Sequence, residues 1–463
     1  MKKQLLTAAI LCCLVIAGST AAPKSAKKKP KIPVSRVQTH MDGYLGDRID
    51  ACIRVRVCSE DPDLLVAPMR RQTETSLWQS EFWGKWTLGA IASYRYNKDP
   101  ELLRKIEGGV ESLLAAQQPD GYIGNYAPEA QLTNWDVWGR KYTMLGLLAY
   151  YDLTGDKKAL DGAVRLADHL LTQIPAVRQI ERTGIYRGMS SCSILEPIML
   201  LYNRTLDEKY LDFARYIVDR MESADGPQLI AKALDGVPVS ERFPLDDPSR
   251  GWFVWENGQK AYEMMSCYDG LLELYKVTND PRYLKAVEAT VTSIIADEIN
   301  IAGSGSSFEC FYKGKALQTE PAYHTMETCV TMTWMKLCYD LLRLTRNPLY
   351  ADQIERSAYN ALAASMKEDA SQIAKYSPLE GARSAGEEQC GMHVNCCNMN
   401  GPRAFALLPE AAVTDYGDEL FVNLYGPMSS TVRLDGGEVL LEQATSYPEQ
   451  GDIEIMIDPR KSF

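Results

Sequence analysis

A helical hairpin that recurs at least five times is the feature that most limits the folds open to this 463-residue chain. In each copy one amphipathic helix ends at a polar turn and a second helix begins, with apolar residues at helical spacing on both sides. The copies lie roughly 50 to 75 residues apart. Their turn residues are Asp99, Asp156, Asp207, Asp280 and Asn347. Because one hairpin cannot bury its apolar faces alone, the copies must pack on one another, which predicts a mainly α protein built as an open solenoid or a closed toroid.

A different pattern begins after about residue 412. The segments ELFVNLYG, STVRLDG, EVLLEQATS and DIEIMIDP alternate apolar and polar residues between glycine and proline turns, which predicts antiparallel strands. Four strands alone would leave a bare sheet edge. We therefore expect either that strands near the N-terminus, around IDACIRVRV, complete the sheet, or that the chain is truncated.

The N-terminus has the features of an export signal. Lys2 and Lys3 precede an apolar run over residues 5–17, and small residues follow. This predicts a signal peptide over residues 1–22 and a basic, proline-bearing tether over residues 23–40. The apolar run is too short to span a membrane comfortably, so we expect an exported protein, periplasmic or at the cell surface of a Gram-negative-type bacterium, with lipoprotein anchoring left open. A net charge of −11 argues against nucleic acid as a partner.

Two adjacent cysteines, Cys396 and Cys397, lie in the segment QCGMHVNCCNMNGPR. Neighbouring cysteines cannot easily form a disulfide with each other, but both can bind one soft metal ion where the chain turns. Upstream, METCVTMTWMKLCYDLL supplies Glu327 and Cys329, two residues apart. One carboxylate and three thiolates would make a plausible zinc site. The alternative is that these cysteines are small buried apolar residues, which is the more common role of a free cysteine.

The loops between hairpins carry tryptophan, tyrosine and charged residues, as in NWDVWGRKY and GWFVWENGQKAY. Aromatic faces can stack on sugar rings while polar groups bind the hydroxyls, so loops of this kind at one end of a toroid would suit a glycan. Each aromatic residue could equally pack against a helix end.

Five blocks of the sequence resemble glycoside hydrolase family 127, the β-L-arabinofuranosidase family. They are AAQQPDGYIGNY, METCVTMTWMKL, ERSAYNALAAS, YSPLEG and CCNMNGPRAFALLPE. The resemblance runs from about residue 78 to the end of the chain. It implies an (α/α)6 toroid of helical hairpins, here residues 41–411, followed by an antiparallel β-sandwich portion that starts within residues 412–463 and is apparently incomplete.

The resemblance also implies the roles of individual residues. The implied zinc ligands are Glu327, Cys329, Cys396 and Cys397. Cys396 would be the nucleophile, and a glutamate upstream of the ligands would be the general acid/base. That glutamate is Glu309, with Glu320 as the alternative. A retaining glycosidase needs such a pair on opposite sides of the anomeric carbon, and here a thiolate would replace the usual nucleophilic carboxylate.

The sequence departs from the family in the loops that would hold the sugar. Many members carry histidines there, whereas this chain has four histidines, none of them in these loops. The residues that we predict to contact substrate are Trp135, Asp136, Trp138, Arg140, Lys141, Gln259 and Lys260. Cationic side chains pair well with carboxylates, so they favour an acidic furanose as a second candidate substrate.

The sequence therefore predicts a retaining exo-glycoside hydrolase that removes a terminal furanosidic pentose, of the β-L-arabinofuranose type, from oligosaccharides of the plant cell wall. One alternative is the same chemistry on an acidic furanose, such as aceric acid of pectin. Another is a different hydrolase or a sugar epimerase on the same toroid, although the scarcity of histidine argues against an epimerase. A third is a glycan-binding protein in which zinc is only structural. The linkage and the oligomeric state stay open.

Overall fold

The polar turns of the repeat form through one recurring set of hydrogen bonds. A side-chain oxygen at each turn accepts the backbone N–H two residues further on and so caps the second helix of the hairpin. The capping residues are Asp99, Asp156, Asp207, Asp280 and Asn347. In the last four turns a threonine two residues earlier accepts the N–H of the capping residue and donates its own hydroxyl to the preceding helical turn. The predicted hairpins are confirmed, and their turns are fixed locally.

The computed structural model describes residues 36–244, 249, 259–318, 324–386, 388–417, 419–434 and 437–459. The predicted signal peptide, residues 1–22, and most of the predicted tether lie outside this part of the chain. No helix within it combines the length and the apolar character that crossing a membrane requires.

The described part is mainly helical. Its α-helices are α1 (Gly43–Cys52), α2 (Pro62–Arg71), α3 (Ser80–Asn97), α4 (Pro100–Ala115), α5 (Asp136–Thr154), α6 (Lys157–Gln173), α7 (Met189–Cys192), α8 (Leu195–Thr205), α9 (Glu208–Met221), α10 (Leu229–Leu234), α11 (Ala261–Thr278), α12 (Pro281–Asp297), α13 (Thr328–Thr345), α14 (Pro348–Ser357), α15 (Ala363–Ser365) and α16 (Cys396–Ala412). Its strands are β1 (Val37–Met41), β2 (Gln259–Lys260), β3 (Cys310–Phe311), β4 (Val413–Tyr416), β5 (Glu419–Val422), β6 (Met428–Leu434), β7 (Gly437–Thr445) and β8 (Ile453–Pro459).

The helices form a closed double ring. Helices α3, α5, α8, α11, α13 and α16 make the inner ring, in which each packs on the next and α16 returns to α3. Helices α4, α6, α9, α12, α14 and α1 back them, in that order. Inner helices such as α5 and α11 are buried on almost every side, whereas outer helices such as α6 and α9 bury one face. The (α/α)6 toroid is confirmed, and the open solenoid is not adopted.

The β portion contains one four-stranded antiparallel sheet in the order β1-β6-β7-β8. Strand β1 supplies an N-terminal partner, but the prediction that it lies around IDACIRVRV is wrong. That segment continues α1 and ends in a π-helical turn at Ile53–Val57. Its buried positions, 49, 52, 53 and 57, have helical spacing, because this face packs on the toroid. Residues 37–40, assigned to the tether from the sequence, belong to the sheet.

Candidate active site

The four predicted metal ligands come together at the N-termini of two adjacent inner helices. Glu327 immediately precedes α13, and Cys329 is the second residue of that helix. Cys396 and Cys397 are the first two residues of α16. Helix N-termini stabilise negative charge through their unpaired backbone N–H groups, so both helices favour the anionic forms of these side chains.

The ligand atoms of these residues are close enough to share one metal ion. They all lie within 4.8 Å of one another, and all four residues are buried. Cys397 Sγ lies 3.4 Å from Cys329 Sγ and 3.9 Å from Cys396 Sγ. Glu327 Oε1 lies 3.5 Å from Cys397 Sγ and 3.6 Å from Cys396 Sγ. A tetrahedral zinc ion with ordinary bond lengths requires S–S edges of about 3.8 Å and S–O edges of about 3.5 Å.

A further feature of Glu327 suits metal binding. Although Glu327 occupies the N-cap position of α13, its side chain does not cap the helix. It points towards the cysteines instead, and its second oxygen, Oε2, is buried without a hydrogen-bond partner. A buried carboxylate oxygen in this state is costly unless a cation binds it. The four residues therefore fit a zinc ion.

Local hydrogen bonds fix the turn that carries the cysteine pair. Asn395 caps α16 by accepting the N–H of Asn398 at 2.9 Å. The side chain of Gln389 accepts the N–H of Cys396 at 3.0 Å. These two hydrogen bonds hold Cys396 and Cys397 at the start of α16, with both sulfur atoms facing Glu327.

Two lysines place positive charge beside the cluster. Lys85 Nζ lies 4.0 Å from Cys329 Sγ. Hydrogen bonds from Cys329 and Cys397 hold the pKa of the Cys396 thiol well below its ordinary value, and the charges of Lys85 and Lys375 add to this effect against the opposing effect of burial. The neighbouring thiols and the two lysines thus favour the thiolate of Cys396.

Glu309 is held beside the cluster by the short antiparallel pair β2–β3. Lys260 pairs with Cys310 across these strands, and the backbone carbonyl of Glu309 accepts the N–H of Ala261. Lys260 Nζ donates to Glu309 Oε2 at 2.6 Å. The other carboxylate oxygen, Oε1, lies 3.5 Å from Lys375 Nζ. The carboxylate is thus clamped between two ammonium groups.

Burial opposes the negative charge of Glu309, but Lys260 and Lys375 outweigh it and hold the pKa of this carboxyl below its ordinary value. The backbone of Glu309 is left-handed, with φ of 64°. Such a conformation is uncommon for a residue other than glycine, asparagine or aspartate, and it is often found at functional sites. Glu320, the alternative acid/base, lies outside the described residues.

Two of the residues predicted to contact substrate lie among these groups. Lys260 is buried against Glu309, as described above. Trp138 is fully buried, and its indole N–H donates to Glu81, which in turn binds Lys85 at 2.7 Å. Trp135 is half-buried, and its ring centre lies 5.7 Å from that of Trp138.

Asp136 and Arg140 form a buried ion pair at 2.6 Å. Asp136 also accepts the hydroxyl of Tyr122 at 2.8 Å, and Arg140 donates to Gln173 at 2.8 Å. These contacts fasten α5 to α6 and to the loop before α5. Both side chains are thus occupied within the protein, and their contact with substrate stays a prediction.

Lys141 and Gln259 are engaged in the same way. Lys141 Nζ lies 3.7 Å from Glu196 Oε2, and both residues are buried between inner helices. The side chain of Gln259 accepts the backbone N–H of Phe243 at 2.9 Å and donates to its carbonyl at 2.7 Å. The three cations that suggested an acidic sugar, on Arg140, Lys141 and Lys260, are each paired with a carboxylate of the protein, which does not favour that alternative.

Sequence reasoning missed Lys85, Glu81 and Lys375. One signal was available: Glu81 and Lys85 stand four residues apart in SEFWGKW, a charged pair inside a helix that is otherwise suited to burial. Gly84 lets this helix approach α5 closely, since a Cβ at Gly84 would lie 2.3 Å from the carbonyl oxygen of Tyr142. Lys375 carried no comparable signal.

A comparison with protein-family models decides the family. The model described as "Beta-L-arabinofuranosidase, GH127 catalytic domain" matches residues 47–410, which include all four clustered ligands and Glu309. The chain belongs to glycoside hydrolase family 127. The match begins earlier than the resemblance found by reading the sequence and ends just before the β portion.

Individual relatives of this family 127 chain are distant. A non-reducing end β-L-arabinofuranosidase of Bifidobacterium longum subsp. longum is 22% identical over 409 residues, which cover 81% of this chain and 60% of that protein. The crystal structure of a family 127 β-L-arabinofuranosidase from Geobacillus stearothermophilus T6 is 22% identical, with a TM-score of 0.70, and the likeness covers 91% of this chain and 73% of that one. A second family 127 β-arabinofuranosidase structure has a TM-score of 0.69 at 22% identity, over 91% of this chain and 69% of that one. At this identity the structures support the fold.

Proposed function

We propose that this protein is a retaining β-L-arabinofuranosidase in which Cys396 is the nucleophile and Glu309 is the general acid/base. The chain spans 60% of the length of the curated relative that it matches, so its activity is inferred and not carried over. The observation that carries the proposal is a buried cluster of three sulfur atoms and a carboxylate within 4.8 Å, beside a second, lysine-clamped carboxylate.

In the first step Cys396 Sγ attacks the anomeric carbon while Glu309 protonates the oxygen that leaves. The C–O bond breaks as the C–S bond forms, and the sugar is held on Cys396 as a glycosyl thioether. Lys260 and Lys375 favour the ionised form of Glu309, so this step draws on its protonated fraction. The leaving oxygen departs as a neutral hydroxyl only when Glu309 carries a proton that it can donate.

In the second step the same carboxylate acts as a base. Glu309 removes a proton from a water molecule, whose oxygen attacks the anomeric carbon and displaces Cys396 as a thiolate. Two displacements at one carbon give net retention, as in carboxylate-based retaining enzymes. The lysine clamp suits this step, because it keeps Glu309 ionised and oriented.

Glu327, Cys329, Cys396 and Cys397 would hold the zinc ion. When bound, zinc lowers the proton affinity of the sulfur atoms and so supports both a thiolate nucleophile and a thiolate leaving group. Lys85 and Lys375 supply the remaining positive charge from the protein side.

The test is the release of arabinose from an aryl β-L-arabinofuranoside by the wild type, Cys396→Ala and Glu309→Gln. We expect release by the wild type, none by Cys396→Ala, and an arabinosyl adduct on Cys396 in Glu309→Gln by mass spectrometry of the intact protein. Activity that persists in Cys396→Ala would overturn the assignment of the nucleophile. Zinc binding without turnover or adduct would favour a glycan-binding protein with a structural metal.

The proposed activity also indicates a class of biological substrate. A terminal β-L-arabinofuranose on plant cell-wall oligosaccharides, processed in the periplasm or at the cell surface, is consistent with the proposed activity and with the signal peptide predicted at residues 1–22. Because Lys260 and the other loop cations already bind protein carboxylates, a neutral furanose is favoured over an acidic one.

A further inference from the structure

Three aromatic side chains form a continuous surface beside the proposed catalytic groups. The ring centre of Trp135 lies 5.7 Å from that of Trp78 and 5.8 Å from that of Tyr186, in edge-to-face arrangements. All three residues are half-buried, so each ring keeps part of its surface exposed. We call Trp78, Trp135 and Tyr186 the aromatic platform.

Direct contacts connect the platform to the acid/base. Lys260 Nζ lies 4.7 Å from the ring centre of Tyr186 and 2.6 Å from Glu309 Oε2. The opposite carboxylate oxygen of Glu309, Oε1, lies 3.5 Å from Lys375 Nζ, and the backbone carbonyl oxygen of Lys375 lies 4.0 Å from Cys397 Sγ. Lys375 therefore marks the side of Glu309 that faces the cysteine cluster, and Lys260 and Tyr186 mark the other side.

The loops that carry the platform hold unusual backbone conformations. Tyr186 has φ of 53°, and Arg187, next to it, has φ of 56°. The side chain of Asn134, next to Trp135, donates to the carbonyl of Thr75, which joins this loop to the one that carries Trp78. Left-handed residues of this kind persist only where the surrounding structure enforces them, and they cluster at ligand-binding sites.

From this geometry we propose that the platform is the binding subsite for the leaving part of the glycan. The transferred sugar occupies the space between Cys396 and Glu309, so a surface on the far side of Glu309 receives what lies beyond the broken bond. The C–H faces of a neutral sugar ring pack on exposed aromatic rings. The ligand class is a neutral oligosaccharide, and the proposal rests on the proposed function.

The platform makes a specific kinetic prediction. In Trp78→Ala, kcat/KM for a disaccharide with a terminal β-L-arabinofuranose should fall about fivefold to tenfold, mainly through KM. The value for methyl β-L-arabinofuranoside, which has almost no leaving group to stack, should stay within about twofold of wild type. Trp78→Phe should recover most of the loss. Tyr44→Ala, at a tyrosine that is 48% exposed outside the platform, is the matched control.

Equal loss on both substrates, or no loss on either, would overturn the subsite. If the wild type hydrolyses neither substrate, the proposed function fails, and the platform is then judged by binding alone. In that case calorimetric titration of the disaccharide into wild type and Trp78→Ala decides: weaker binding in the variant upholds a sugar platform, and equal binding or none rejects it.

Discussion

Lys85 Nζ lies 4.0 Å from Cys329 Sγ, inside the toroid and 1% exposed. It is bound to Glu81 at 2.7 Å, and it lies over the rings of Tyr142 and Tyr262 at 5.2 and 5.0 Å from their centres. If the cluster binds zinc, a buried ammonium group beside its sulfur atoms would compensate negative charge that the zinc ion alone leaves. Three thiolates and one carboxylate would exceed the charge of a bound divalent ion by two, so a cation at this place would stabilise a metal-bound state.

Replacing Lys85 by methionine should therefore weaken zinc binding. We expect the zinc affinity of Lys85→Met, measured by competition with a chromophoric chelator, to fall about 10- to 100-fold, the usual effect of losing a residue that supports a metal site. The double variant Lys85→Met/Glu81→Gln removes the carboxylate that would otherwise be left unpaired, and Lys85→Arg keeps the charge. Unchanged affinity in both methionine variants would show that Lys85 has no part in holding the metal.

Lys260→Met should shift the pH dependence of kcat/KM. Lys260 lowers the pKa of Glu309, so its removal raises that pKa. Because Glu309 must be protonated to act as the acid in the first step, the alkaline limb of the profile should move to higher pH. Glu309→Gln, which cannot titrate, should lose this limb. An alkaline limb that does not move in Lys260→Met would contradict the assignment of Glu309 as the acid.

Glu74 should make the fold more stable at neutral than at acid pH. Burial opposes its charge, but the backbone N–H groups of Thr75, Ser76 and Leu77 hold the pKa of Glu74 below its ordinary value of 4.5. Because the pKa of Glu74 is lower in the folded state than in the unfolded state, its ionised form stabilises the fold above pH 4.5. This stabilisation is lost as the pH falls through the pKa of Glu74 in the folded protein.

The free energy of unfolding in urea tests this contribution at several pH values. Glu74→Gln should be less stable than wild type near pH 7, and the difference should shrink below pH 4.5, where wild-type Glu74 takes up its proton. Glu111→Gln, at an exposed position of α4, is the control variant. A difference that grows on acidification would have the wrong sign for this explanation.

The capping residues of the repeat should contribute to stability one hairpin at a time. Asp156→Ala removes the carboxylate that accepts the N–H of Lys158 at 2.9 Å. The expected cost is about 0.5–2 kcal/mol in the free energy of unfolding. Asp161→Ala, at an exposed position inside the same helix, should cost less, because that side chain caps nothing. Equal costs for the two variants would mean that the Asp156 cap contributes little.

Much of the toroid could be predicted from the sequence because the patterns that indicate its hairpins involve residues close together in the chain. The capping side chains bind N–H groups only two residues away, and the helical spacing of apolar residues is set within one hairpin. The four residues predicted as metal ligands do lie together, and they could be picked out because they stand in short, distinctive blocks; their binding of zinc stays a prediction. The strand expected around IDACIRVRV failed because alternation over a few residues also fits a buried helix face.

The partners of the charged side chains were decided by the tertiary structure alone. Lys85 and Cys329 are separated by 244 positions, and Lys260 and Glu309 by 49, so no local pattern joins them. Sequence reasoning predicted that Arg140 contacts substrate, and only the packed structure shows that its side chain pairs with Asp136 in the core. Whether a buried charge binds substrate, metal or another side chain depends on which groups the packed helices bring within a few ångströms, because desolvation makes an unpaired buried charge too costly.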